Sequence, residues 1–492
     1  MSRSIIRKSL GVFSLAMITA GSVDSVRNLP ATAMFGSSLI FFFVLSTVFF
    51  LLPSALVSAE LASTSTKHGG VYTWVKEAFG LRFGFLAIWF QWIENVIWYP
   101  TILSFVAGTL GYLVSPSLAE SKAFLISVIL CSFWGVTFVN LFGIKSSARF
   151  SNLSALFGLI VPMTLIISLG VGWFVMGQPI QLHFSASDAF PHFHNANLWV
   201  ALTGIILSFC GMEIAAVHTH DVKNPQREYP RAMFIATIII LFTLMSGSLA
   251  IAAVLPKNDI SLVAGIMQAF HAFFAYYHMQ WIMPFIAVML VVGGMGSVNN
   301  WIIAPTRGLV FAMRDGQMGP SLSRENRHGA PYALLIWQAV IVSIVSLVFL
   351  LLPSVNGSYW LLTALASQLY MLMYILLFAA AIQLRYKNTE RRPGFLIPGG
   401  SFVMWIVAGA GLFGSLVTLF VGFIPPTNLS IGSPLEYELL LIGGLLTMSI
   451  PPFFVHLFAR HTPMKHKEGV FLTDIAEGYG TTQELDNVVE NS

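Results

Sequence analysis

A carboxylate stands at the centre of a long apolar stretch of this sequence. Glu213 follows Cys210 and Gly211, with apolar residues before them from position 199 to 209 and after them from 214 to 217. An ionisable side chain at bilayer depth is expensive unless it faces a cavity or a partner, so Glu213 is a candidate functional residue. In a second interpretation, Gly211 packs closely against a neighbouring helix and Glu213 makes a purely structural hydrogen bond. We favour a helix that breaks near Gly211.

The first apolar stretch is interrupted in a similar way. Asp24 and Arg27 lie three residues apart, and Pro30 cannot donate a backbone hydrogen bond. The residues just before them are small, namely Ala20, Gly21 and Ser22. The alternative is an ordinary proline-kinked span in which Asp24 and Arg27 neutralise each other.

Two interrupted helices would supply groups that bind a charged ligand. Interrupted spans that open successive groups of five are typical of a transporter site built from inverted repeats. The unpaired N–H groups of a half-helix attract a carboxylate, and the unpaired C=O groups at the other end attract an ammonium. An amino acid carries both groups, so the pattern favours an amino acid as the ligand.

Other polar residues interrupt later apolar stretches. Glu94 lies near the middle of the third stretch, and a carboxylate there indicates a residue that lines a site. Asn300 and Trp301 lie in the eighth stretch. Because amides rarely face lipid, we interpret them as part of a cavity wall, although Trp301 would equally suit packing between spans.

The composition places the chain among polytopic membrane proteins. Of its 492 residues, 56% are hydrophobic and only 9% are charged. The two cysteines, Cys131 and Cys210, both fall inside apolar stretches, so we predict no disulfide framework, no metal site and no cofactor. The chain lacks H-E-x-x-H, G-x-S-x-G and a nucleotide-binding glycine loop, which argues against an enzyme.

Each membrane-spanning helix needs about 20 mainly apolar residues. Twelve stretches qualify, centred near residues 20, 50, 98, 132, 163, 208, 243, 295, 342, 370, 412 and 447. If the N-terminus is cytoplasmic, only Lys122 and Lys257 of the 25 Lys and Arg residues fall on the outer side, and Arg27 lies within the membrane. We therefore predict an inner-membrane protein with both termini in the cytoplasm. The net charge of +4 reflects this topology and not nucleic-acid binding.

Five segments, in this order and spacing, resemble the amino acid/polyamine/organocation superfamily, and within it the glutamate/GABA antiporter family. They are GGVYTWV, SFCGMEIAAVHTHDVKNPQREYPRAM, ISLVAGIMQAF, NNWIIAPTRGL and FLIPGG. The resemblance implies an all-α carrier of twelve transmembrane helices. Its first ten would form two inverted repeats of five in a LeuT-like fold, followed by two additional C-terminal helices, and relatives allow a homodimer.

The resemblance also implies roles for individual residues. Residues 20 to 24 match the unwound part of the first span, and residues 209 to 213 that of the sixth. Glu213 matches an acidic residue implicated in pH response, and Trp301 matches an aromatic gate over the site. The predicted substrate-binding residues are Ala20, Gly21, Ser22, Val23, Asp24, Arg27, Glu94, Phe209, Cys210, Gly211, Asn300 and Trp301.

The sequence departs from acid-resistance glutamate exchangers at Asp24 and Arg27, which replace largely uncharged positions. Arg27 would either recognise a side-chain carboxylate or neutralise Asp24. The fifth span lacks the lysine that stands in for a sodium ion in proton-coupled relatives, which favours obligate exchange of amino acids. A proton-coupled amino acid symporter and a transporter-like amino acid sensor remain as alternatives.

The organisation of the chain follows from these assignments. The polar tail carries carboxylates and histidines, and the resemblance suggests an acid-released plug, with a solvated terminus as the alternative. We predict a cytoplasmic N-terminus (1–9), a first repeat (10–176), an outer loop (177–196), a second repeat (197–388), two further spans (389–459) and a cytoplasmic tail (460–492).

Overall fold

The computed structural model describes residues 10–64, 70–142, 153–182, 199–222, 224–316, 322–387 and 394–457. Within these ranges every regular element is helical, and an isolated bridge pairs Leu10 with Val222. The predicted tail, residues 460–492, lies outside the described residues, as does most of the predicted outer loop.

Ten of the described helices are long and apolar enough to cross a membrane. We name them α2 (Gly36–Thr64), α3 (Leu81–Val114), α4 (Lys122–Leu141), α5 (Leu153–Val175), α7 (Pro225–Val254), α8 (Gln280–Asp315), α9 (Tyr332–Leu351), α10 (Val355–Lys387), α11 (Gly400–Val421) and α12 (Pro434–Phe454). The count is below the predicted twelve because the stretches centred near residues 20 and 208 form only short helices, α1 (Val12–Val23) and α6 (Ala201–Ser208). A helix satisfies its own backbone hydrogen bonds, which suits an apolar surrounding.

The helices α3 and α10 lie at the centre of the bundle. They pack against each other, and α3 also packs along α8. Most of their side chains are buried, including Trp92 of α3 and Trp360 of α10. In contrast, α5 and α12 bury few of their side chains, and Phe174 and Phe453 are examples of large apolar residues on the outer surface. An apolar outer surface of this extent fits a protein whose solvent is lipid.

Small residues set the distance between α5 and α8. A side-chain carbon added at Gly158 would lie 2.1 Å from the Cα of Gly293, and one added at Gly296 would lie 2.2 Å from the Cβ of Ser154. Such crossings let the two backbones touch, which is a common way of packing helices in membranes. These positions therefore fix α5 against α8.

Two shorter helices cover the ends of the bundle. The Gly70–Phe79 helix packs on α3 and α10, and its Tyr72 and Trp74 are buried in the protein. The Gly265–Tyr276 helix is rich in aromatic residues. It buries Phe270 and Phe273, so one face belongs to the protein core.

A buried ion pair joins the end of α2 to the end of α10. Both carboxylate oxygens of Glu60 lie 2.7 Å from Nη1 of Arg385, and the backbone N–H of Ile397 donates to Glu60 Oε2 at 2.8 Å. Nη2 of Arg385 donates to the Ile397 carbonyl oxygen at 3.2 Å. Glu60 has no exposed surface. The pair therefore holds α2, α10 and the segment that leads into α11 together.

We expect Glu60→Gln to lower the free energy of unfolding by about 3 kcal/mol, because the buried Arg385 guanidinium loses its anion. Thermal unfolding in detergent, followed by tryptophan fluorescence, measures the change. The control is Glu325→Gln, since Glu325 pairs with Arg314 at 2.7 Å with its side chain 38% exposed. An exposed pair contributes less than about 1 kcal/mol. Equal changes in the two variants would contradict the buried-pair argument.

Candidate functional site

The first helix is interrupted, but slightly later than the sequence predicted. α1 continues to Val23, and Asp24 and Ser25 are extended before a 3-10 turn begins at Val26. The Asp24 N–H still donates to the carbonyl oxygen of Ala20 at 2.7 Å. Of the predicted unwound segment, residues 20 to 24, only Asp24 thus lies outside the helix. The small residues before it thus remain helical, and the helix ends where the backbone becomes extended at Asp24.

The interruption leaves acceptors at the end of α1. Among the described residues, no hydrogen bond reaches the carbonyl oxygens of Gly21, Ser22 or Val23. Gly21 is also exposed, and a side-chain carbon added there would meet no atom within 4 Å. These carbonyl groups are the acceptors that a helix C-terminus offers to an ammonium.

The second interruption lies where the sequence predicted it. α6 ends at Ser208, residues 209 to 211 form a turn, and a 3-10 helix runs from Met212 to Asp221. Gly211 has a φ of +113°, in a region that side chains rarely adopt. The glycine therefore permits the chain to leave the helix at this point.

The two interruptions meet. A side-chain carbon added at Gly211 would lie 3.4 Å from Val23 Cγ2 and 3.5 Å from the Ser22 carbonyl oxygen. The end of α1 also packs against the 3-10 helix that follows Gly211. Broken backbones from two distant parts of the sequence are thus brought into one place.

Glu213 is held by side chains of two central helices. Its Oε1 accepts from Gln91 Nε2 at 3.0 Å and from the Tyr370 hydroxyl at 2.8 Å, and its Oε2 accepts from the Tyr374 hydroxyl. The Tyr374 hydroxyl in turn accepts from the Gly211 N–H at 2.9 Å. Three donors suit a carboxylate, which only accepts when ionised. The network ties the second interruption to α3 and α10.

Sequence reasoning missed both tyrosines of this network. Tyr370 and Tyr374 are four residues apart on α10, so they lie on one face of the helix, with ring centroids 5.2 Å apart. The sequence did contain a signal for them, namely two hydroxyl-bearing side chains four residues apart in an apolar span.

Arg27 does not neutralise Asp24. Its Nη1 donates to the Thr101 hydroxyl at 2.5 Å and to the Tyr359 hydroxyl at 3.4 Å, and its guanidinium lies 5.4 Å from the centroid of the Trp98 ring. Within the described residues, no carboxylate lies within 4 Å of Arg27. The alternative of a neutralised pair in a kinked span is therefore wrong.

Asp24 and Glu94 are buried carboxylates that are less fully bonded than Glu213. Asp24 Oδ2 accepts from the Thr243 hydroxyl at 2.6 Å, and no described residue donates a hydrogen bond to Asp24 Oδ1. Glu94 is 3% exposed, and none of the described residues donates a hydrogen bond to its carboxylate. Buried carboxylates in this state are candidates for binding a cation or a cationic group.

Trp301 lies near Arg27. Its ring centroid is 6.0 Å from that of Trp98, the residue over which Arg27 stacks, and its carbonyl oxygen accepts from the Tyr99 hydroxyl at 2.9 Å. Asn300 is exposed at the adjacent position of α8. The predicted aromatic gate is thus next to a buried charge.

The side chains of the turn in the second interruption point into the packed core. Phe209 packs on Phe43 of α2 with ring centroids 5.7 Å apart, and Cys210 Sγ donates to the Ile206 carbonyl oxygen at 3.3 Å. Both residues are buried, with Phe209 completely so. The backbone N–H groups of Phe209 and Cys210 donate to the carbonyl oxygens of Ile206 and Leu207 at 3.0 and 3.2 Å, so the turn is bonded within the protein.

Comparison with known proteins gives the evolutionary context. The model of the amino acid permease family matches residues 10–445. An uncharacterised transporter of Legionella pneumophila is 43% identical over 462 residues, covering 94% of this chain and 98% of that protein. A glutamate/gamma-aminobutyrate antiporter of Lactococcus lactis is 30% identical over 455 residues, covering 92% and 90%. A probable agmatine/putrescine antiporter of the same species is 23% identical over 422 residues, covering 85% and 89%.

The long apolar helices and the two interrupted helices that meet among buried charges are features of a multi-pass membrane protein of the transporter class. The chain belongs to the amino acid permease family. The family resemblance seen in the sequence motifs is confirmed, and the relatives compared here are named as transporters, not enzymes.

We expect Gly211→Ala to destabilise the protein by about 1–3 kcal/mol, because alanine is strained at this positive φ. Thermal unfolding in detergent measures the effect. The matched control is Gly135→Ala in α4, where a side-chain carbon would meet no atom within 4 Å and φ is not positive. An equal response of the two variants would count against a backbone role for Gly211.

Proposed function

We propose that this protein is an amino acid antiporter of the glutamate/GABA type that works by alternating access in the inner membrane. The observation that carries the proposal is the contact between the two interrupted helices, with buried Asp24, Arg27 and Glu94 beside it. Helix ends of this kind supply both acceptors for an ammonium and donors for a carboxylate. The relatives named as antiporters support exchange as the mode of transport.

We further propose that the short helices α1 and α6 are broken spans that complete a set of twelve. Each then opens a group of five spans, and the groups correspond to the predicted repeats, residues 10–176 and 197–388. Two additional spans, α11 and α12, follow the second repeat. The position of the two interruptions at the start of each group supports this inverted-repeat arrangement.

In this proposal the backbone of residues 20 to 23 and 209 to 211 holds the amino and carboxyl groups of the substrate. Asp24, Arg27, Glu94 and Asn300 set selectivity. Trp301 closes the site. Its position supports this role, since it contacts Trp98, the ring over which Arg27 stacks. Glu213 couples the conformation of the interrupted helix to pH.

Counterflow in proteoliposomes tests the function. We expect vesicles preloaded with unlabelled glutamate to take up radiolabelled glutamate or GABA, because an antiporter needs a substrate on the inner side to complete its cycle. Vesicles that contain the protein but no internal amino acid should show little uptake. Protein-free vesicles with the same load are the control.

Other outcomes would select a different function. Uptake into empty vesicles driven by a proton gradient would identify a symporter. Binding of amino acids without flux in either assay would identify a sensor. Neither binding nor flux with any amino acid would overturn the proposal as a whole.

Glu213→Gln tests the pH role. The amide keeps the size of the side chain but cannot change its protonation, so we expect the pH dependence of exchange to flatten or its optimum to shift. Exchange rates are measured between pH 5 and 8. The control variant is Glu325→Gln, whose side chain is 38% exposed. If the pH optimum of Glu213→Gln coincides with that of the unchanged protein, Glu213 does not couple to pH.

A further inference from the structure

A proline in the interior of α8 removes one hydrogen bond from that helix. Pro305 lies within the helix, and proline has no N–H group, so the carbonyl oxygen four residues earlier loses its usual donor. That carbonyl belongs to Trp301, the predicted gate residue. A carbonyl group without a donor is costly inside an apolar bundle, and neighbouring helices commonly supply the missing bond.

A side chain of α3 supplies a donor at this point. The Tyr99 hydroxyl donates to the Trp301 carbonyl oxygen at 2.9 Å. Tyr99 is 1% exposed, and its ring packs on Phe133 of α4 with ring centroids 4.9 Å apart. A ring packed in this way keeps its hydroxyl directed at the same acceptor. A bond between α3 and α8 thus stands where Pro305 has removed a bond within α8.

Other helices hold α8 on both sides of this point. Before Trp301, the amide Nδ2 of Asn140 in α4 donates to Asn299 Oδ1 at 3.1 Å. Directly after the proline, the Thr306 hydroxyl lies 3.1 Å from Gln338 Oε1 of α9. The turn of α8 between these ties is where the main-chain bond is missing. The position of this turn therefore depends on the bond from α3.

The same turn presents the Trp301 side chain, which is half-buried. Its ring centroid lies 6.0 Å from that of Trp98, the residue before Tyr99 in α3. Two adjacent residues of α3 thus contact Trp301, one through its ring and one through its carbonyl group. A shift of the Trp301 backbone would move its ring away from Trp98 and from the guanidinium of Arg27 stacked there.

We infer that Tyr99 is a positioning residue for the Trp301 gate. Its hydroxyl replaces the hydrogen bond that Pro305 removes from α8, and this bond fixes the turn that holds Trp301 beside Trp98. The inference rests on the proposed function and deepens it by naming the group that keeps the gate in place. Because a gate retains the substrate only while it closes correctly, loss of the bond should let substrate leave without exchange.

Efflux from proteoliposomes loaded with the radiolabelled amino acid that exchanges fastest in counterflow tests the gate. Rates are measured with and without the same unlabelled amino acid outside, and their ratio falls when substrate leaks. Tyr99→Phe should lower this ratio about fivefold or more, the factor expected for one lost hydrogen bond to a buried group. Tyr229→Phe is the matched control, because the Tyr229 hydroxyl is buried without a partner among the described residues. It should leave the ratio unchanged.

Pro305→Ala provides a rescue that a role through the backbone predicts. Alanine restores an N–H group that donates to the Trp301 carbonyl oxygen, so the Tyr99 hydroxyl is no longer needed there. In the Pro305→Ala protein, Tyr99→Phe should therefore change the ratio by less than about twofold, which is the coupling expected of two groups that serve one acceptor.

Two results would overturn the inference. Equal ratios in Tyr99→Phe and Tyr229→Phe would show that the hydroxyl does not hold the gate. A similar loss from Tyr99→Phe with and without Pro305→Ala would show that Tyr99 acts through another contact. If Tyr99→Phe alone does not fold, the double variant is compared with Pro305→Ala. Matching ratios support the inference, and a lower ratio in the double variant refutes it.

The inference and the proposed function fail in different ways. A protein with strong counterflow whose ratio does not respond to Tyr99→Phe keeps its function and refutes the positioning role. Absence of counterflow with every amino acid refutes the proposed function and, with it, the gate. Thermal unfolding in detergent then still measures the bond. Tyr99→Phe should lower Tm in the unchanged protein and have little effect in Pro305→Ala, and equal changes would refute the replacement of the proline-removed bond.

Discussion

The structure depends on satisfying backbone hydrogen bonds where two helices break inside an apolar bundle. An unpaired N–H or C=O group is costly in such surroundings. At the second break, the Gly211 N–H donates to the Tyr374 hydroxyl, which in turn donates to Glu213. Gln91 and Tyr370 complete the bonds to the same carboxylate. The break therefore depends on α3 and α10, which are the two most deeply buried of the described long helices.

The first break is less completely bonded, and that difference is informative. The carbonyl groups of Gly21, Ser22 and Val23 have no donor within the described residues. The protein thus bonds one broken helix internally, whereas the end of the other keeps unpaired acceptors among the described residues, and we propose that these face the substrate. In a transporter, unsatisfied groups of this kind are a source of binding free energy, because the ligand makes the bonds that the protein does not.

The buried charged residues also divide into those that are paired within the protein and those that are not. Glu60 and Arg385 satisfy each other and hold helix ends together. Arg27 and Glu94 are also buried, but neither forms an ion pair with another described residue. Since a buried unpaired charge destabilises the fold, its presence is best explained by a function that uses it.

The sequence by itself determined the membrane class, the family and the two interruptions, because apolar length, glycine, proline and buried charges are local signals. It placed the first break a few residues early, since helical bonding of small residues up to Val23 depends on packing around them. Only the tertiary structure decided the partners. Tyr370 and Tyr374 are remote in sequence from Glu213, and Arg27 points to α3 and α10 and not to Asp24 three residues away. Pairing between distant helices is set by how they pack, and no local pattern encodes that geometry.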